Sequence, residues 1–523
     1  MAEKNGGSTG KPDMLRVWSH PRVLTMLFLG FSAGIPILLI FSTLSVWLRE
    51  AGVSRSAVTF FSWAALGYSF KFIWAPLVDK LPLPLLTRML GRRRSWMLIS
   101  QLSVIIAISW MGLTDPTQSE SSLVFMALAA VFLGFSSATQ DIVIDAYRIE
   151  CVDVSLQAML ASTYVAGYRI GMLVAGAGSL YIASWFGTSR EFYDVSAWRM
   201  TYLVMAAIML VGVVTTFLIA EPEENKTSSY RYSAPQYIRF FFLFLLAGTF
   251  FASCFFLTAP LAVWCKDLAA NSFGVHERLL GFVVETVRLF LALATAAVAA
   301  WVSVRAGLAD RDMVRESYVE PVRDFFVRYG TKTAFLLLLL VGFYRISDIV
   351  LGVVSNVFYL DMGFSKNVIA TVTKTFGLLM TLAGGFLGGL LTYRFGVYRI
   401  LFLGGILAAA TNLLFMLLAR SGNDVTLLAV VIGADNLCAG LASTAFVAFL
   451  SSLTNISFTA VQYALFSSLM TLFPKLIGGY SGTVVSTFGY ETFFLMTAVL
   501  GLPVLVLIWF AGRLAGNKLE MNN

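Results

Sequence analysis

Fourteen apolar runs, each close to or beyond the ~20 residues a helix needs to cross a bilayer, take up most of this chain. They fall at 22–48, 57–78, 96–114, 121–145, 156–185 and 198–220, then at 240–265 and 278–305. Six more follow at 332–360, 366–391, 397–419, 424–450, 457–486 and 490–512. Backbone amides in hydrocarbon must be satisfied within the protein, so runs of this length predict spanning helices. Composition agrees: 58% of the 523 residues are hydrophobic and 13% charged, which excludes an ordinary soluble enzyme. Cys151, Cys254, Cys265 and Cys438 have no paired spacing, and His20 and His276 lie far apart. No metal centre, cofactor or disulfide framework is expected. The net charge of +8 comes without a basic block or an aromatic RNA-reading motif, so no nucleic-acid partner is expected either.

Positive charge finds its explanation in topology. With the N-terminus inside, 23 of the 37 Lys and Arg fall in inner segments, eight in outer loops and six within the runs. That bias predicts a multi-pass protein with both termini in the cytoplasm. Residues 1–21, with Gly6, Gly7, Ser8, Gly10 and Pro12, read as a disordered cytoplasmic tail and not a cleaved signal peptide. The remaining divisions are a six-helix half at 22–220, a linker at 221–331 with two extra spans, a second six-helix half at 332–512, and a tail at 513–523. Between Ala306 and Gly330, Met313, Val314, Tyr318, Val322, Phe325, Phe326 and Tyr329 recur at helical spacing among charges, predicting an interfacial helix that tethers the halves.

The two halves look duplicated. Ala75–Lys80 followed by Gly91–Arg94 closes the second run, and Gly389–Arg399 closes the tenth; both place a polar turn and a basic cluster at the same end. The pattern resembles the loop motif of the major facilitator superfamily, although the first copy carries about ten extra residues and the second lacks its Asp. Gln157 likewise opens a run holding Arg169, and Gln462 opens one holding Lys475. Glycines at 167, 171, 176 and 178, and at 478, 479 and 482, predict close helix approach.

A charge in hydrocarbon costs roughly 2.5–3.5 kcal/mol even on the lenient insertion scale, so each one needs a reason. Asp79, Arg92, Arg93, Asp145 and Arg148 gather near inner ends and are expected to form a conformational latch. Arg345 and Asp348 stand i,i+3 and are expected to pair. Lys71, Arg169, Lys374 and Lys475 then outnumber Asp141 and Asp435, and Gln140, Tyr168 and Asn436 adjoin this set. Excess buried cations between two halves predict an anionic substrate. Lys71, Gln140, Tyr168, Arg169, Arg345, Lys374, Asn436 and Lys475 are the candidate binding residues. Asp141, Asp348 and Asp435 are the candidate proton carriers.

At these residues the sequence resembles the AmpG-type muropeptide permeases, a major facilitator branch that also includes acetyl-CoA transporters. The stretches are LGFSAGIP at 29–36, KFIWAPLVD at 71–79, SATQDIVIDAYR at 137–148 and GYRIGMLVAG at 167–176. In the second half they are YRISD at 344–348, TKTFGLL at 373–379, GADNLCAG at 433–440, STAFVAFLSSLTN at 443–455 and AVQYAL at 460–465. Asp435 stands where enteric members are expected to carry Glu, and the spans at 240–305 look like the insertion of longer members. The resemblance implies an all-α major facilitator fold and proton-coupled import of N-acetylglucosaminyl-1,6-anhydro-N-acetylmuramyl peptides across a bacterial inner membrane. It further implies a role in cell-wall recycling and, in some species, β-lactamase induction; separately, the protein is expected to act as a monomer. An acyl-CoA or other anionic-metabolite carrier is the alternative within the branch. A membrane-embedded enzyme is disfavoured, because no Ser/His or His/Asp pair shares a depth.

Overall fold

The computed structural model describes residues 21–53, 68, 70–152, 156–189, 192–222, 232–273, 277–365, 368–478 and 481–520. Thirteen helices among them are long and apolar enough to span a membrane. They are α1 (Pro21–Glu50), α2 (Arg92–Leu113), α3 (Ser121–Glu150), α4 (Gln157–Trp185), α5 (Val195–Leu218), α6 (Ala234–Lys266) and α7 (Thr286–Arg305). The series continues with α8 (Thr331–Asp361), α9 (Thr371–Phe395), α10 (Val397–Ser421), α11 (Val425–Leu453), α12 (Ile456–Lys475) and α13 (Val484–Leu514). The run predicted at 57–78 lies largely outside the described residues, which include its end as the turn Lys71–Ile73 and the helix Ala75–Lys80. The tail at 1–20 also lies outside them. The break between the last two runs falls at Gly489, whose φ of +79° is one that L side chains rarely adopt.

The chain forms two compact units. One comprises Lys80–Pro82 and Ser228–Asp324, with α6 and α7 packed along each other; the other holds both six-helix halves. Local chemistry sets many helix starts: the side chains of Asp194 and Asp424 accept from Ser196 N at 2.8 Å and from Thr426 N at 2.8 Å. Within the first half, α1 and α4 interlock through glycine. A Cβ at Gly30 or Gly34 would strike the carbonyl oxygens of Tyr164 or Tyr168, and one at Gly167 or Gly171 those of Leu27 or Phe31. Without side chains there, the backbones approach closely enough for dispersion to hold helices together in a solvent as apolar as they are. Gly176 and Gly478 also approach other helices, at Leu38 and Val353, whereas Gly178 meets only its own helix, Gly482 faces open space and Gly479 lies outside the described residues. Gly167→Leu should therefore lower stability by roughly 1–3 kcal/mol through overpacking. Gly248→Ala, on α6 where a Cβ meets nothing, should leave it nearly unchanged. Thermal unfolding of both variants in detergent measures the contrast, and equal midpoints would contradict it.

The halves meet through α4 against α9 and α11, and through α12 against α3 and the Lys71–Ile73 turn. Ser162 Oγ donates to Gly385 O at 2.8 Å, and a Cβ at Gly389 would press on Ser162. These contacts lie at the end of the bundle that the charge bias assigns to the cytoplasm.

The segment predicted as an interfacial helix is helical over 311–329. Its last turn does more than tether: Phe325 and Tyr329 are buried, Phe325 meets the Phe466 ring at 5.2 Å, and Arg328 donates to Leu453 O and Gln462 Oε1, each at 3.1 Å. In the smaller unit Tyr232 donates to Glu316 at 2.8 Å and Gln236 to Asp310 at 2.8 Å. The Met313 N–H, with help from Gln236, holds the Asp310 carboxyl below its ordinary range.

Candidate functional site

Three charged groups line up along the contact between the halves. The first sits at the predicted cytoplasmic end. Arg93, with no exposed surface, donates from Nη2 to Asp79 at 2.7 Å and from Nε to Glu150 at 2.9 Å. Arg92 donates to Asp79 O at 2.7 Å, while Arg94 binds the carbonyls of Thr216 and Phe217. Glu221 accepts from the backbone N–H groups of Arg93 and Arg94, satisfying donors that the first turn of α2 leaves open. Burial pushes the Glu221 carboxyl up, against those two donors. Asp79 also reaches the second half, where its Oδ2 accepts from Val461 N at 3.4 Å.

The second group lies one layer deeper. Lys71 pairs with Asp145 at 3.6 Å, and Asp145 pairs with Arg148 at 3.4 Å. Arg148 crosses to the second half: it donates to Ser451 Oγ at 2.8 Å, with its guanidinium 5.1 Å from the Tyr463 ring and 5.9 Å from that of Tyr164. Asp145 and Arg148 thus form a cluster with Lys71, while Glu150 takes the place beside Arg93. Asp141, one turn above Asp145, is buried and its Oδ1 has no hydrogen-bond partner among the described residues. Lys71 and Asp145 are the charges that act on it. Gln140 points elsewhere, donating to Ser32 at 3.1 Å inside the first half.

The third group is central. A break in α8 at Tyr344 and Arg345 separates the helices Thr331–Phe343 and Ile346–Asp361 and makes Arg345 the cap of the second. Tyr344 is held there by a 3.2 Å bond to Leu401 O and a stacked Phe446 ring. Interrupted helices recur where transporters bind ligands, because a break frees backbone and side chains toward a cavity. Arg345 pairs with Asp348 at 3.8 Å. From the first half, Arg169 lies within electrostatic reach of Arg345, with Tyr168 beside it. Arg169 has no carboxylate partner among the described residues. Asp435 accepts from Thr411 at 3.2 Å and feels the charge of Asp348. Lys374 is exposed on the π-helical segment Ile369–Phe376 and donates to Asn356 at 3.1 Å. Lys475 is exposed near the end of α12. Asn436 ties α9 to α11, accepting from Thr381 at 3.0 Å.

Because Asp79 links Arg93 to a backbone N–H of the opposite half, Asp79→Asn should alter the rate at which the halves rock while leaving ligand affinity nearly intact. Single-molecule distance measurements across the halves, paired with ligand titration, test this. A large affinity loss with normal exchange would contradict it.

Sequence reasoning missed Glu150, Ser451, Tyr164 and Tyr463. The repeat contained a usable signal for one of them: the shift that carries Gln157 to Gln462 carries Arg148 to within two positions of Ser451, 303 residues away.

The model of the Major Facilitator Superfamily matches residues 26–343. "Putative transporter AmpG 4" of Rickettsia felis is 30% identical over 95% of this chain and 98% of its own length. The chain belongs to the AmpG branch of the major facilitator superfamily. The Anhydromuropeptide permease of Escherichia coli K12 is 29% identical to this AmpG-type transporter over 94% of the chain and 80% of the permease. The proton:xylose symporter XylE superposes with a TM-score of 0.56 at 13% identity, over 95% of this chain and 94% of the symporter. FucP in the outward conformation gives 0.57 at 12%, over 95% and 99%. These two show the fold of a multi-pass transporter.

Proposed function

We propose that this AmpG-type transporter imports N-acetylglucosaminyl-1,6-anhydro-N-acetylmuramyl peptides together with protons, from periplasm to cytoplasm across a bacterial inner membrane. It then serves cell-wall recycling and, in hosts with an inducible β-lactamase, supplies the inducing fragments. Both termini face the cytoplasm and the chain works as a monomer. One observation carries the reading: Arg169 and Arg345, from opposite halves, lie within electrostatic reach of each other, and the carboxylate of Asp348 pairs with Arg345 alone among the described residues. Two guanidinium groups repel unless an anion lies between them, and muropeptides bring several carboxylates that match the planar fork of Arg. Tyr168 adds a hydroxyl and a ring face for a sugar. Lys374 and Lys475 extend the positive surface toward the peptide end.

The test is uptake of labelled anhydromuropeptide by cells lacking their own permease. Expression of the wild type should restore it. Arg169→Ala and Arg345→Ala should each lower uptake by about 10- to 100-fold, the worth of one hydrogen bond to a charged group. Lys475→Ala should weaken it less. No uptake by the wild type would overturn the reading, and so would loss of folded protein from the membrane in both Arg variants.

A further inference from the structure

We propose that a groove on the smaller unit binds one anionic phospholipid of the surrounding bilayer, with its phosphate on Arg239 and an acyl chain along α6. The groove encloses about 560 Å³ and is lined by Arg239, Phe242, Leu246 and Thr249 of α6, and by Ser303 and Leu308 at the end of α7. Leu243 and Leu245 also line it, and Arg239, Phe242, Leu246 and Thr249 follow the i, i+3, i+7, i+10 pattern along the helix. They run about 15 Å along it at 1.5 Å per residue, a length suited to much of an acyl chain. The hydroxyls of its walls donate to their own helix backbone, Thr249 to Leu245 O at 2.9 Å and Ser303 to Ala299 O at 2.7 Å. An apolar slot of this kind gains nothing from water and is filled by hydrocarbon.

The cation at its mouth supplies the headgroup selectivity. Arg239 makes no hydrogen bond or ion pair among the described residues. Nearby acids are already engaged, Asp310 by Gln236 and Met313, and Glu316 by Tyr232. Arg305, lying 4.1 Å over the Trp301 ring, adds a second positive charge near the end of α7. These two spans are also the most lipid-facing of the thirteen: 17% and 11% of their apolar windows are buried within the protein, against 28–61% elsewhere. The bilayer is therefore the medium that meets this face. The charge bias puts Arg239 at the cytoplasmic leaflet, and a basic pocket between spans on that side takes anionic headgroups. This inference rests on the fold and the groove and not on the identity of the transported substrate.

Photolabelling tests it. The full-length protein is reconstituted in phosphatidylcholine nanodiscs with a trace of a phospholipid carrying a diazirine in its acyl chain, either phosphatidylglycerol or phosphatidylcholine. The phosphatidylglycerol probe should label peptides covering 242–249 and 303–308 about fivefold more than the phosphatidylcholine probe, the ratio conferred by one surface cation. Arg239→Ala should bring the two probes level. Arg394→Ala, which removes the same charge elsewhere, should keep the preference. Leu246→Trp, which fills the slot from a partly exposed position, should reduce labelling by both probes while leaving the melting temperature unchanged. Equal labelling by the two probes in the wild type would overturn the proposal. So would a preference that survives Arg239→Ala, or undiminished labelling of a folded Leu246→Trp protein.

Discussion

Arg93→Ala should destabilise the protein by about 3–5 kcal/mol, the usual consequence of stripping the counter-ion from a buried charge network. The guanidinium is wholly buried and serves Asp79 and Glu150 at once, so its removal leaves two carboxylates in a dry site with no cation of their own geometry. Arg92 cannot substitute, because it is already bound to the Asp79 carbonyl. Arg93→Lys keeps the charge but loses the fork, and should fall between wild type and Ala. Arg394→Ala, at an exposed site, should change little. Thermal unfolding in detergent and the amount of folded protein in the membrane both read this series. Wild-type stability in Arg93→Ala would show that the cluster does not hold α2 and α3 to the Asp79 segment.

Asp141→Asn should abolish proton-driven accumulation in vesicles while retaining some substrate exchange. Bringing a net negative charge into a negative interior costs roughly 2.3 kcal/mol per charge at 100 mV, and co-imported protons offset that cost. A proton carrier must change its protonation state without tearing apart the structure that holds it. Asp348 is committed to Arg345, and Asp145 to Lys71 and Arg148. Asp141 is free of such commitments on Oδ1, yet it sits within reach of Lys71. Substrate carboxylates settling on the arginines, and a proton settling on Asp141, then favour the same neutralised state of the cavity. Protonophore-sensitive accumulation persisting in Asp141→Asn would sink the assignment, and Asp435 would be tested next.

Both experiments depend on partnerships that differ in how far the sequence reveals them. The i,i+3 pairing of Arg345 with Asp348 is local, and helix geometry alone brings those side chains together. The glycines at 167 and 171 are legible for the same reason, since small residues one turn apart on an apolar run have few uses besides close approach. Asp145 and Glu150 exchange roles for a different reason. Both lie on the last turns of α3, and only the angle at which α2 and the Lys71–Asp79 segment cross it decides which carboxylate meets Lys71 and which meets Arg93. Gln140 and Asn436 adjoin charged residues in sequence, yet a helix turns about 100° per residue, so each faces its own half and ties helices together.

The sequence by itself determined that this chain spans a membrane as two repeated bundles of helices with extra spans between them. It also showed cations in excess of carboxylates within the apolar runs. Those are properties of hydrophobic run length and of the cost of charge in hydrocarbon, and neither needs a partner residue to be known. Only the tertiary structure decided that Arg169 stands opposite Arg345, that Arg148 crosses to Ser451 between two tyrosines, and that the last turn of the linker helix is anchored to Gln462. Apart from that of Arg148 with Tyr164, these contacts join residues more than a hundred positions apart. Helix tilt, the break in α8 and the glycine-tuned spacing of the bundle set them together, and no local pattern encodes their sum.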